Sequence, residues 1–163
     1  MAIPKSILSG LVSGVVGETS HSGPIRVTSA VLSSADEKKN LFGLAYTYSD
    51  FDVESVQVGG TGPFAGIMIN PKAYRIGESY ALNGTTGEFL TMGEVNVRLK
   101  SGVKRINAPV VFDVDGELSA KGNIATGDRV IGFVSRHLES AEDPHLCVVR
   151  LTEIPYPTTA KGE

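Results

Sequence analysis

The chain contains few of the residues that most often carry chemistry or cross-link a fold. Among its 163 residues there is no tryptophan and only one cysteine. A single cysteine excludes an internal disulfide framework and a multi-cysteine metal site, and the apolar neighbours of Cys147 predict a buried thiol in a strand. Without tryptophan, a carbohydrate-binding surface would have to use tyrosines such as Tyr46, Tyr48, Tyr74 and Tyr80, which form no evident platform in the sequence.

A strong charge of one sign and long apolar runs are also missing. The formal net charge is -3, and the only local basic cluster is Lys100 with Lys104 and Arg105. This balance excludes an extensive nucleic-acid-binding field. No segment is apolar for long enough to span a membrane, and the N-terminal residues lack the successive parts of a secretory signal. We therefore expect no nucleic-acid or membrane partner and no export by the general secretory route.

Glycine is abundant, with 19 residues, and its spacing indicates many turns. Short runs rich in β-branched and aromatic residues alternate with glycine-centred turns, which is typical of strands. The pattern predicts an all-β, single-domain protein, a β-barrel or a jelly-roll-like sandwich. The predicted strands are 25–32, 41–48, 53–58, 64–70, 88–92, 94–99, 110–114, 117–120, 129–135 and 146–152.

Residues 1–23 differ from the rest because serine and glycine interrupt their apolar positions. Helical spacing is only loose there, and each glycine weakens a helix by about 1 kcal/mol relative to alanine. The segment predicts an extended N-terminal arm, followed by a β-barrel or sandwich domain at 24–153 and a flexible tail at 154–163. We expect the apolar arm residues to bind a surface of another protein or a sister subunit, or the arm to pair with its own domain. These candidate residues are Ile3, Leu8, Leu11, Val12, Val15 and Val16.

Two motifs resemble sites but have simpler explanations. Asp113, Asp115 and Glu117 are the oxygen ligands that calcium prefers, yet the ligand pattern of a calcium loop is incomplete, and Asp115-Gly116 predicts a hairpin turn. The segment GGTGPFAG at 59–66 lacks the lysine and hydroxyl ending of a phosphate-binding loop and predicts a strand entry instead. We therefore expect no metal and no cofactor.

The histidines and the cysteine also give weak support for catalysis. We interpret His21, His137 and His145 as isolated surface residues, since they lack the spacing of a helical metal-binding pair. His145 and Cys147 lie two positions apart and could share a strand face, but no third group is evident to orient them. An enzyme is the least favoured interpretation.

Several segments resemble the structural cement, or head decoration, proteins of tailed bacteriophages. The strongest are GIMINPK at 66–72 and GEFLTMG at 87–93, and the likeness extends over 24–153. The resemblance implies a β-rich, non-enzymatic virion protein, made in the host cytoplasm, that binds the outer surface of the assembled capsid and reinforces contacts between major capsid subunits. The implied partner is the major capsid protein, and we also expect self-association of the chain as a dimer or trimer. The alternative is a β-barrel module for binding carbohydrate or a receptor.

The predicted core holds the interaction surface of the domain in shape. Phe64, Ile67, Ile69 and Val97 lie at apolar positions of the predicted strands and are expected to be buried.

Overall fold

The computed structural model describes residues 14–20, 23–49, 52–70, 80–137 and 144–157. It contains nine strands and one short 3-10 helix within those ranges, and no helix there is long and apolar enough to cross a membrane. The strands are β1 (Arg26–Leu32), β2 (Ala45–Ser49), β3 (Asp52–Val58), β4 (Phe64–Met68), β5 (Thr86–Gly102), β6 (Pro109–Phe112), β7 (Leu118–Ala120), β8 (Arg129–His137) and β9 (His145–Pro157), with the helix at Glu37–Lys39.

The strand pairings form two closed circuits that share β5. The first circuit has the order β1-β3-β2-β4-β5 and closes by pairing of β5 with β1. The second has the order β5-β7-β6-β8-β9 and closes by pairing of β9 with β5. In each circuit the first and third strands along the chain are parallel and the other neighbours are antiparallel. The predicted all-β single domain is therefore confirmed, as two small barrels with the same topology.

Strand β5 serves both barrels by changing its partner strand at Gly93. This residue has a φ of +127°, which L side chains rarely adopt, and a Cβ there would lie 2.8 Å from a methyl carbon of Ile25. Before the glycine, β5 pairs with β1; from Gly93 onward it pairs with β9. The two strands predicted at 88–92 and 94–99 are thus one continuous strand.

Two apolar cores fill the barrels and join them. The smaller core includes residues from all five strands of the first circuit, among them Tyr46 and Phe89, whose rings lie 5.1 Å apart. The larger core includes residues from all five strands of the second circuit. Ala45, Ile67 and Leu90 of the first circuit also belong to this larger core. The two barrels therefore pack as one domain.

The predicted core residues are buried with one exception. Ile67, Ile69 and Val97 are buried, as predicted, whereas Phe64 is only half-buried. Its ring packs against the larger core with its centroid 5.6 Å from that of Phe112. Phe64 thus covers one edge of the core.

The polar segment 33–40 has two buried residues, Ser34 and Asn40. Both bond to Asn83, whose Oδ1 accepts hydrogen bonds from the Ser34 amide and the Asn40 side chain. Strand β9 continues to Pro157, into the segment 154–163 that is predicted to be a flexible tail, and 158–163 lie outside the described residues.

Replacing Ile67 with alanine should lower the free energy of unfolding by about 2–5 kcal/mol, because the substitution leaves a cavity in the larger core. Ile124→Ala is the matched control, since Ile124 is 44% exposed and its truncation should change stability by about 0.5 kcal/mol or less. Denaturant titration of both variants measures the difference. Equal midpoints for the two variants would contradict the assigned face of β4.

Candidate functional site

The described part of the N-terminal arm, residues 14–20, is held against the middle of β5. Thr19 bridges Val95 in antiparallel orientation. The Gly17 amide donates to the Asn96 carbonyl at 2.8 Å, the Asn96 amide donates to the Glu18 carbonyl at 2.9 Å, and the Ser20 amide donates to the Glu94 carbonyl at 2.9 Å. The arm therefore acts as an additional short strand of the second barrel.

In this position the arm supplies hydrogen-bond partners to the edge of β5 that does not pair with β9. Strand β5 pairs with β4 at Leu90 and with β7 from Leu99, and the arm contacts the stretch between them. Backbone amides and carbonyls buried without partners are unfavourable, so the arm stabilises this part of the sheet. It also covers Asn96, which is buried although it lies in a strand with alternating apolar residues.

Glycine allows the arm to approach the body closely. Gly17 has a φ of +83°, and a Cβ at this position would lie 2.7 Å from the Cβ of Phe42. A Cβ on Gly43 would in turn lie 2.4 Å from a methyl carbon of Val16. The glycines that weaken a helix in the sequence thus permit an extended segment to lie flat on the barrel.

The two described candidate residues of the arm have different environments. Val16 is half-buried and lines an apolar groove of 330 Å³ with Leu41, Phe42 and Leu44, bordered by Arg98 and Lys100. Val15 is 61% exposed. The other candidates, Ile3, Leu8, Leu11 and Val12, lie outside the described residues. The structure therefore places Val16 on the body and leaves Val15 accessible.

The acidic hairpin between β6 and β7 is held by lysines. The Asp113 carboxylate accepts hydrogen bonds from the amides of Asp115 and Glu117, both at 3.0 Å, which shapes the predicted turn. Lys100 pairs with Asp113 and Glu117, and its pKa is raised by the hydrogen bond and charge of Glu117 and then by Asp113. Lys39 pairs with Asp115 at 2.9 Å and lowers the pKa of that carboxyl. Within the described residues no three potential ligands are grouped as a metal site.

The glycine-rich segment before β4 accepts hydrogen bonds from the positively charged side chain of Arg129. The Arg129 guanidinium donates to the carbonyl oxygens of Gly60 at 2.6 Å and Gly62 at 2.5 Å, and lies 4.2 Å from the ring centroid of Phe112. The amides of Gly59 and Gly60 donate to backbone carbonyls. These amides are therefore occupied, and the segment is a structural turn into β4.

The interpretation of the histidines as isolated surface residues is wrong for two of them. His145 is fully buried, and its Nε2 lies 3.1 Å from Nδ1 of His137. The register of β8 on β9 brings His137 opposite Cys147 and thereby close to His145. Spacing within the sequence does not reveal this pair, because the pairing register decides it. His21 lies outside the described residues.

The environment of His137 favours its neutral imidazole. Burial lowers the pKa of His137, and the charges of His145 and Lys104 lower it further, against the opposing effect of the Arg105 backbone. A single hydrogen bond between two imidazoles needs one donor and one acceptor, so protonation of both rings would break it. Cys147 is buried as predicted, and burial raises the pKa of its thiol to about 12, which disfavours the reactive thiolate.

Tyr46 and Tyr48, two of the tyrosines considered for carbohydrate binding, are not openly exposed. Tyr46 is buried, and burial raises its pKa well above the usual range. Tyr48 is half-buried and packs against the smaller core. Neither ring is available as an open stacking platform for a sugar.

Comparison with known proteins adds a family and a fold. Residues 3–152 match the family described as "Structural cement protein (E217 gp24/Pam3 gp6)". The fold is similar to that of a chain in the capsid of Myoviridae Phage XM1, with a TM-score of 0.61 and 19% identity over 94% of this chain and 99% of that chain. A weaker similarity, to the head fiber gp8.5 N base of bacteriophage phi29, has a TM-score of 0.46 and 11% identity. It covers 82% of this chain and 98% of that chain. No curated protein matches the sequence.

Acidification should destabilise the protein in the range where the unfolded chain takes up protons on histidine, below a pH of about 6.5. Because the folded pKa of His137 is lowered, the unfolded state binds more protons there, and the free energy of unfolding falls as the pH decreases. Urea titrations across this range should show a smaller loss for His137→Gln than for the original protein. The same pH dependence in both proteins would show that the pair does not contribute.

Proposed function

The chain belongs to the phage structural cement protein family, and on that premise we propose that it binds the outer surface of the assembled head and stabilises contacts between neighbouring major capsid subunits. As a family member it is a capsid-associated structural component of the virion. The match over 3–152 supports this proposal most directly, since it includes the body and most of the arm. We further propose that this role involves no catalytic step.

The mechanism we propose is thermodynamic linkage. A protein that binds the assembled shell more tightly than free subunits shifts the equilibrium towards the shell. Two barrels joined through one strand and a common core provide a rigid body for this purpose. Repeated copies add their modest contributions over the shell, and self-association as a dimer or trimer would increase retention through effective concentration.

In this proposal the arm provides part of the attachment. Residues 14–20 are fixed to β5, so the preceding apolar residues start from a defined point on the body. Val15 is exposed at that point, which supports contact with another surface. We propose that Ile3, Leu8, Leu11 and Val12 continue this contact on the shell, while Val16 fixes the base of the arm.

Heads lacking the protein provide the direct test of the role. Purified protein should bind such heads until a fixed number of sites is filled, and should raise the temperature at which the heads release their DNA. Free major capsid subunits serve as the control and should bind more weakly. Absence of binding to heads, or equal affinity for free subunits, would contradict the proposed function.

Deletion of residues 1–13 should reduce occupancy of the heads while the body stays folded, because the hydrogen bonds of residues 14–20 to β5 remain. Val15→Asp should reduce occupancy as well, since it introduces a charge at an apolar contact. Val114→Asp is the matched control, because Val114 is similarly exposed and lies in the turn between β6 and β7. Unchanged occupancy after the deletion would reject the arm as an anchor.

A further inference from the structure

The turn before β5 contains a dipeptide that is chemically reactive in an unstructured chain. Asn83-Gly84 is the only Asn-Gly pair in the sequence. In such a pair the glycine nitrogen attacks the side-chain carbonyl carbon of the asparagine, because glycine has no side chain to hinder the approach. A new C–N bond closes a succinimide ring, and the side-chain nitrogen leaves as ammonia with the proton that the glycine nitrogen loses. Water then opens the ring to aspartate or isoaspartate.

The attacking nitrogen is held in a hydrogen bond in the folded turn. The Gly84 amide donates to the Leu32 carbonyl at 2.8 Å, and the Leu32 amide donates to the Thr85 carbonyl at 2.9 Å. Within the turn, the Thr85 amide and hydroxyl both donate to the Leu82 carbonyl, at 3.3 and 2.6 Å. The turn is therefore fixed to the end of β1, and loss of the Gly84 amide proton breaks one of the bonds that fix it.

The side chain under attack is held by three further hydrogen bonds. Oδ1 of Asn83 accepts from the Ser34 amide at 3.0 Å and from Nδ2 of Asn40 at 2.9 Å. Nδ2 of Asn83 donates to the Ser34 carbonyl at 2.7 Å. A backbone amide only donates and a backbone carbonyl only accepts, so the orientation of this side chain is unambiguous. Departure of Nδ2 as ammonia necessarily breaks the bond to the Ser34 carbonyl.

The partners of Asn83 are buried and have bonds of their own. Nδ2 of Asn40 also donates to the Ala81 carbonyl, and the Asn40 carbonyl accepts from the Ala81 amide, both at 2.9 Å. The Ser34 hydroxyl accepts from the Val58 amide at 2.9 Å. Asn83 itself is exposed, so water reaches it. Any protection of its side chain therefore comes from the hydrogen bonds, and exclusion of water plays no part.

We propose that Asn83 is a conditional modification site, at which the folded structure suppresses deamidation and the unfolded chain undergoes it. Ring closure in the folded protein requires the loss of the Gly84 bond to Leu32 and of the Asn83 bond to Ser34. It therefore proceeds from locally opened molecules, whose population is small where hydrogen bonds are intact. The inference concerns the durability of the chain and is independent of the proposed function.

The products cannot rebuild the network. Aspartate at position 83 still accepts from the Ser34 amide and from Asn40, but it has no N–H for the Ser34 carbonyl and places an oxygen against it. Isoaspartate in addition lengthens the backbone of the turn by one methylene group. Because ammonia is lost, the change is irreversible, and chains that have remained unfolded return to a less stable fold.

The test compares the reaction in folded and unfolded protein. The full chain is incubated at mildly alkaline pH with and without urea, and peptide mass spectrometry measures the conversion of Asn83 to aspartate and isoaspartate. The folded protein should react more slowly by about tenfold or more, because only opened molecules react. Asn123, exposed and followed by Ile124, is the internal control and should react slowly in both conditions. Equal rates for Asn83 with and without urea would overturn the inference.

Two variants test the chemistry and the network separately. Gly84→Ala should slow the reaction in urea, because the added methyl group hinders the attack, and a Cβ there has no atom within 4 Å in the fold. Asn40→Ala removes one donor to Asn83 and should accelerate the reaction in the folded protein while leaving the rate in urea unchanged. A folded Asn40→Ala variant that reacts as slowly as the original protein would contradict protection by this network. If this variant does not fold, the comparison of the original protein with and without urea still decides.

The cost of the modification is measured with a variant that mimics the product. Asn83→Asp should lower the urea midpoint of unfolding, because the bond to the Ser34 carbonyl is lost. Asn123→Asp is the matched control, since it adds the same charge at an exposed position. Equal midpoints for the two variants would show that deamidated chains refold without loss, which contradicts the proposed consequence.

Discussion

The structure depends on strand β5, whose long backbone needs hydrogen-bond partners along both of its edges. Strand β5 belongs to two barrels, so its backbone must be paired along 17 residues. Its first part pairs with β1 and β4, and its second part pairs with β9, the arm and β7. The change of partners occurs at Gly93, which has a positive φ. The arm is therefore a part of the sheet as well as a proposed means of attachment.

The repeated topology gives the molecule two equivalent scaffolds with different surfaces. The order β1-β3-β2-β4-β5 recurs as β5-β7-β6-β8-β9, with the parallel pair in the same place. The loops differ: the connection from β1 to β2 carries the short helix and the buried Asn40, whereas the corresponding connection from β5 to β6 carries Lys104 and Arg105. Closed strand circuits fix the frame, and the loops determine what each end can contact.

Much of the fold follows from local pattern, and the parts that do not follow depend on distant pairing. Val95, Val97 and Leu99 alternate with the exposed Arg98 and Lys100, which is why the strand and its inner face are predictable. Gly93 looked like a break between two strands, because the sequence does not show that β9 continues the pairing begun by β1.

The candidate site was predictable to a smaller degree. The apolar composition of the arm indicated contact with another surface, but the hydrogen bonds of Gly17 and Ser20 to β5 depend on tertiary placement. The pair of His137 and His145 likewise depends on the register between β8 and β9. Alternation indicates which face of a strand is buried, whereas register between strands decides which polar groups meet. The shared strand has a mechanical consequence: a pull between the outer ends of the two barrels is transmitted through the covalent peptide backbone of β5, so the barrels cannot be drawn apart merely by peeling one packed surface from the other.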